Sequence, residues 1–147
     1  MNQFGPATHK LIAHALIQHE GNYLLIKRST IKRGKPNVYP EFFDIPGGGV
    51  ERFETPREAA VRESLEETGL PVLLDRLLHE DSQLDKAKGI VFTRLVYEAK
   101  IVGELTGITL DPEEHTEFRW ISHLSDISDE KIVLYLHDLI PEKGHLI

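Results

Sequence analysis

Hydrophobic positions along the chain recur with two periods, and the alternation marks the elements. Residues 11–18 and 23–27 read as two strands of apolar and β-branched character, joined by a turn at Glu20-Gly21-Asn22. Residues 42–46 form a short apolar strand entering Gly47-Gly48-Gly49, and a further apolar run covers residues 72–78. Residues 90–99 are the clearest strand, with Val91, Leu95, Tyr97 and Ala99 on one face, and residues 118–121 are another. Two stretches carry helical spacing. One follows Thr55; the other, residues 129–140, places Ile132, Val133, Leu136, Leu139 and Ile140 on one side and ends at Pro141. Two helices and several mostly hairpin-linked strands predict one α/β domain whose sheet is covered on both sides.

The first helix has a defined start and stop. Thr55 can cap it, Pro56 suits the first helical position because its missing N–H would be unpaired there, and Glu58 can bond back to the cap. No glycine or further proline interrupts the run to Thr68, and Gly69 fits the left-handed position past a helix end. At about 100° per residue, Ala59, Glu63, Glu66 and Glu67 share one arc, and Val61, Ser64, Leu65 and Thr68 share the opposite one. The expectation is that the second arc packs on the protein body while the acidic arc faces a cleft. Arg62 lies at the seam, placed to pair with Glu66 one turn on or with Glu54.

Crowded carboxylates repel unless something positive lies among them. A solvated acidic face is the ordinary reading, but such faces usually interleave lysines, and here Arg62 alone supplies positive charge. The three glycines let bare backbone approach a ligand, and an exposed carbonyl there is a hard oxygen donor like the carboxylates. Donors of that kind suit magnesium, manganese or calcium.

Composition narrows the classes. A chain of 147 residues, 40% hydrophobic and 28% charged, is long enough for a single domain spanning residues 1–147 with a sizeable core. No apolar run approaches the roughly 18 residues of a membrane span, and residues 1–10 lack the apolar stretch of a signal peptide, so the cytoplasm is expected. The absence of cysteine excludes disulfides, thiolate zinc sites and cysteine nucleophiles. No histidine pair has ligand spacing on a predicted helix. A net charge of −7 argues against long nucleic acid as a partner, though not against small phosphorylated molecules.

The segment from Gly48 carries a specific pattern: five residues to Glu54, seven more to Arg62-Glu63, then Glu66-Glu67, Gly69 and Leu70. It resembles the Nudix box, G-x5-E-x7-R-E-U-x-E-E-x-G-U with U a bulky aliphatic, and departs from it at Ser64, whose hydroxyl needs a partner such as the carbonyl four residues back. The resemblance implies a Nudix-type α/β/α sandwich with a mixed β-sheet. It implies Mg²⁺, or Mn²⁺, held by Glu63 and Glu67, by Glu66 as a third ligand, and by the Gly47 carbonyl. Glu66 and Arg62 then belong to the catalytic apparatus, Glu54 orients the helix through Arg62, Gly69 closes it, and Gly48 lies against the substrate. The implied reaction is hydrolysis of a nucleoside diphosphate linked to another group X, with a nucleoside triphosphate first. ADP-ribose, sugar nucleotides and dinucleoside polyphosphates remain open, as does a homodimeric assembly.

In many members an acid in the loop before a tryptophan-bearing strand acts as general base or further ligand. Residues 111–117 precede Trp120 and offer Glu114 first by spacing, then Glu117, then Glu113. His115 is close enough to assist. Residues 27–35 hold five cations; they read as a flexible connector able to gather phosphates, with Arg28, at a strand end, directed to the site. Tyr39, Phe42 and Phe43 are core residues or a surface for stacking a base. Competing readings are a nucleotide-sensing domain without turnover, a docking surface built on the acidic helix, and an isopentenyl diphosphate isomerase, which would need a cysteine this chain lacks.

Overall fold

A computed structural model describes residues 8–143; the expectation for residues 1–10 therefore lies, up to residue 7, outside the described residues. The elements run β1 (Thr8–His19), β2 (Asn22–Arg28), β3 (Ile31–Lys32), β4 (Lys35–Pro36), β5 (Phe43–Asp44), β6 (Gly47–Gly49), α1 (Pro56–Thr68), β7 (Val72–Asp85), β8 (Ile90–Ile101) and β9 (His115–Ile121). Two 3-10 turns, Leu124–Ile127 and Leu134–Asp138, follow. Among the described residues no helix is long and apolar enough to cross a membrane.

The sheet is mixed and splits. β1 runs parallel to β8 from Thr8↔Ile90 to Gln18↔Lys100, and β8 pairs antiparallel with β7. On its other edge β1 meets β2 at Gln18↔Tyr23 and His19↔Asn22, beside a two-residue turn in which Glu20 and Gly21 have φ of 49° and 80°. Lower down, β6 takes over that edge, from Ile12↔Gly49 to His14↔Gly47. β2 leaves β1 and pairs with β5 and β9. The three glycines, expected as a loop, are thus a short strand wedged into the split. Residues 31–36, expected as part of a flexible connector, form a small hairpin turned by Arg33 and Gly34, both at positive φ.

Alternation along β1 sorts the core into two layers. Ala13, Ala15 and Ile17 face α1 with Leu24, Tyr97 and Ala99, whereas Leu16 faces the opposite layer with Phe43, Ile45, Val96 and Ile121. Among the described residues α1 is the one α-helix. The second covering layer, expected as an α-helix over residues 129–140, is an extended stretch followed by a 3-10 turn. Its apolar residues do reach the core: Val133, Leu136 and Ile140 are buried. The backbone is committed elsewhere, because Phe43 donates its N–H to the Lys131 carbonyl and Val133 donates to the Phe43 carbonyl. Pairing with β5 draws residues 131–133 out of the helical region, and only the next five residues curl.

Candidate active site

α1 begins and ends as its sequence requires. Thr55 accepts the Glu58 N–H at 3.1 Å while Glu58 accepts the Thr55 N–H at 3.0 Å, and Gly69 ends the helix at φ 77° with its N–H on the Leu65 carbonyl. The buried arc differs from expectation. Val61 and Leu65 are exposed at 37% and 54%, while Ala59, Ala60, Ser64, Glu67 and Thr68 are buried. β1 presents Ala13 and Ala15 to the helix, and small residues on both sides allow an approach that Val61 and Leu65 would block. The Ser64 hydroxyl donates to the Ala60 carbonyl at 2.8 Å, four residues back as expected.

The three acids consequently fan across environments rather than sharing one exposed face. Glu66 is largely exposed, the Glu63 side chain is mostly covered, and Glu67 is buried at 5%. The β6 glycines lie against this fan. Gly47 donates its N–H to Glu67 Oε1 at 2.8 Å, and a Cβ on Gly48 would stand 2.5 Å from Glu63 Oε1. Glycine is required here for close approach and not for a turn.

Arg62 is the hub. It grips Glu54 through Nε at 2.7 Å and Nη2 at 3.0 Å, reaches Glu63 at 2.9 Å and Glu66 at 3.2 Å through Nη1, and donates to the Gly49 carbonyl at 3.1 Å. The Arg62 hydrogen bonds, joined by the Glu51 N–H, hold Glu54 down to about 2. Glu67 has no such help. Burial pushes its carboxyl up to about 9; the Gly47 N–H opposes this, and the nearby charges of Glu63, Glu114 and Asp44 add to it. Burial also raises Glu63 against the pull of Arg62. His115 Nδ1 stands 3.3 Å from Glu67 Oε2, but burial and the Arg28 charge bring His115 down to about 4, so it is a neutral neighbour and not an ion-pair partner.

Among the described residues no three His, Asp or Glu side chains converge as a ready cage. The donor set nonetheless fits a hard divalent cation. Glu67, Glu63 and Glu114 are close enough to repel one another and are partly or wholly removed from water; Arg62 reaches Glu63 but is spent chiefly on Glu54, Lys32 and Arg33 pair with Glu114 from the solvent side, and among the described residues Glu67 has neither a lysine nor an arginine beside it.

A cleft of about 730 Å³ opens beside Glu67, a size suited to a nucleotide. Glu114 lines it, whereas Glu113 and Glu117 do not: Glu113 lends its carbonyl to the Ser29 hydroxyl, and the Glu117 carboxylate pairs with Lys27 and Arg119. A β-bulge at the end of β2 turns Arg28 inward, where the Val38 carbonyl, Asn37 Oδ1 and Asp44 hold its guanidinium. Of the aromatic trio, Phe43 is core, while Tyr39 and Phe42 meet edge to face at the cleft with centroids 5.4 Å apart.

The opposite wall is a polar network that no periodic pattern along the chain marks. Tyr135 donates its hydroxyl to buried Asp44, its ring lies 4.2 Å under the Arg94 guanidinium, and Arg94 in turn reaches Asp81, which His79 meets at 2.6 Å. The one available signal was an acid, Asp44, interrupting the apolar run of residues 42–46.

Comparison with known proteins identifies the family. The NUDIX domain profile matches residues 8–133, and the chain therefore belongs to the NUDIX domain family, the Nudix hydrolases. It is 36% identical over 121 residues to an ADP-ribose pyrophosphatase of Methanocaldococcus jannaschii, covering 80% of this chain and 67% of that protein. It is 30% identical to the nucleoside triphosphatase NudI of Klebsiella pneumoniae, covering 76% and 81%. The crystal structure of a MutT protein from Methanosarcina mazei Go1 superposes with a TM-score of 0.70 at 27% identity over 90% of each chain. Across the curated relatives it matches, the chain spans from 34% to 81% of their length.

Proposed function

We propose that this protein hydrolyses the diphosphate linkage of a nucleoside diphosphate joined to a group X, with a nucleoside triphosphate as the leading substrate and Mg²⁺, or Mn²⁺, as cofactor. The observation that carries this reading is Glu67: a buried carboxyl beside bare glycine backbone, at the edge of a nucleotide-sized cleft, without a cation of its own. Glu63 and Glu67 would hold the ion, with Glu66 and the Gly47 carbonyl as further ligands. When bound, such an ion offsets the diphosphate charge and acidifies a coordinated water.

The chain's own groups do the remaining work. Arg28, fixed by three partners, meets the phosphate oxygens. Gly48 lies against the substrate and, having no side chain, leaves room for the Glu63 carboxylate beside it. Glu114 receives the proton of the attacking water as the new P–O bond forms and the bridging P–O bond breaks, a role worth roughly 10²–10⁴-fold. Arg62 holds Glu54 and Glu63 so that the helix keeps its register against β6.

A second substrate reading has its own support. The archaeal relative is named for ADP-ribose, and Asp81, Ser82, Gln83 and Asp138 line the far wall with groups suited to hydroxyls. A magnesium-dependent hydrolysis screen over nucleoside triphosphates, ADP-ribose, dinucleoside polyphosphates and sugar nucleotides, read by chromatography of the nucleotide products, decides between them. Binding without turnover across the panel would replace the enzyme by a nucleotide sensor.

A further inference from the structure

The β3–β4 hairpin carries Lys32 and Arg33 to one atom. Lys32 Nζ lies 3.0 Å and Arg33 Nη1 3.2 Å from Oε1 of Glu114. The Glu114 side chain is 18% exposed, against 43% for Lys32 and 61% for Arg33, so the acid is inside and its cations come from the solvent side. The base of the hairpin is fastened to the same loop: the Ser29 N–H donates to the Glu114 carbonyl at 2.9 Å, and the Ser29 hydroxyl to the Glu113 carbonyl at 2.8 Å. The root of the hairpin and the acid loop therefore form one unit, while its tip touches Glu114 through two side chains alone. Lys32 and Glu114 both line the cleft.

Two long cationic side chains converging on one carboxylate oxygen make a replaceable contact. Exposed pairs of this kind contribute little stability, because water and side-chain entropy compete with them. A diphosphate entering the cleft brings more charge and more acceptor oxygens than one carboxylate, and guanidinium groups match that geometry well.

We propose that Lys32 and Arg33 exchange partners during the catalytic cycle: they hold Glu114 in the empty protein and pass to phosphate oxygens when substrate binds, which frees the Glu114 carboxylate for the attacking water. This rests on the hydrolase reading above. It makes Lys32 and Arg33 positioning residues for Glu114 as well as substrate contacts, and it makes Glu114 a competitor of the substrate for its own cations.

That competition has a sign that can be measured. The probe is α,β-methylene-ADP, an uncleavable diphosphate, titrated calorimetrically at fixed saturating magnesium into proteins whose melting temperatures match. Glu114→Gln should tighten binding by about two- to fivefold, the scale of an exposed ion pair. The Lys32→Ala/Arg33→Ala protein should bind more weakly than wild type, and adding Glu114→Gln to it should produce no tightening. Weaker or unchanged binding by Glu114→Gln overturns the exchange. So does equal tightening with and without the two cations, which would reflect plain repulsion between Glu114 and phosphate. Failure of the hydrolase reading is separate and shows as absence of wild-type turnover across the substrate screen.

Discussion

Glu67 and Gly47 face each other across the junction of α1 and β6, the Gly47 N–H donating to Glu67 Oε1 at 2.8 Å in a setting that otherwise opposes charge on the carboxyl. Replacing Glu67 by Gln keeps the size and an acceptor for that N–H but removes the ligand anion. Turnover should fall by at least roughly a hundredfold, in line with loss of metal-centred chemistry, while the melting temperature holds or rises. A folded Glu67→Gln protein with near-wild-type kcat would remove Glu67 from the site.

The same carboxyl sets a pH dependence. Its value is raised from the ordinary 4.5 to about 9 in the folded protein. The folded state keeps a proton that the unfolded chain releases, so this group's contribution to stability is complete below the unfolded value and is lost as pH climbs toward 9. A bound cation takes the proton's place, so magnesium affinity should increase with pH over that window and binding should release protons. Melting curves with and without millimolar magnesium should diverge increasingly from acid to alkaline pH. A magnesium shift that is flat with pH, or none at all, would contradict a preformed acidic site.

Gly48 and Gly47 should fail in different ways. The Cβ of Gly48→Ala would stand 2.5 Å from a Glu63 oxygen, at the end of a side chain able to swing aside. Activity should drop with little change in melting temperature. The Cβ of Gly47→Ala would press on the buried His14 ring and the Ala13 carbonyl, where nothing yields easily, and should destabilise by about 1–3 kcal/mol. Denaturant unfolding of both proteins, set beside their kcat, checks the contrast.

Arg62→Lys retains the charge and loses the fork. Lysine cannot meet both Glu54 oxygens, Glu63 and the Gly49 carbonyl from one planar group. A group that orients a ligand in this way is worth roughly 10–100-fold in metal affinity or activity, and Arg62→Lys should lose that much in magnesium-dependent kcat/KM. Full activity in the lysine protein would reduce Arg62 to a surface cation.

Tyr135 pins the C-terminal layer to the cleft. Tyr135→Phe removes a hydroxyl buried against Asp44 and leaves that carboxylate with the Ile45 N–H and the more distant Arg28. The expected cost is about 1–3 kcal/mol, read from chemical denaturation. An unchanged midpoint would show that the pair contributes nothing to holding residues 129–140 in place.

Much of the scaffold around the candidate site was legible in the chain because it is local. The Thr55–Glu58 box, Pro56, and Gly69 at positive φ set the limits of α1 through contacts three or four residues apart. The spacing from Glu54 to Arg62 to Glu66 likewise anticipated the Arg62 hub. The β1–β2 hairpin followed from its turn residues for the same reason. Glu114 was favoured by spacing over its two acidic neighbours, and only the cleft separates it from Glu113 and Glu117.

Helical periodicity foretold opposite arcs on α1 but not which one is buried, because that depends on Ala13 and Ala15 in a strand distant in sequence. Residues 129–140 have helical spacing, yet β5 takes up the backbone groups that an α-helix would have used. The Tyr135–Asp44 bond joins positions 91 residues apart, and no periodic pattern marks such a partner. The sequence by itself determined the helix, its caps and the order of its acids, since each follows from neighbours one turn away. The tertiary structure alone decided that Glu67 is the acid withdrawn from water, because burial is a property of what packs above a residue and not of what precedes it.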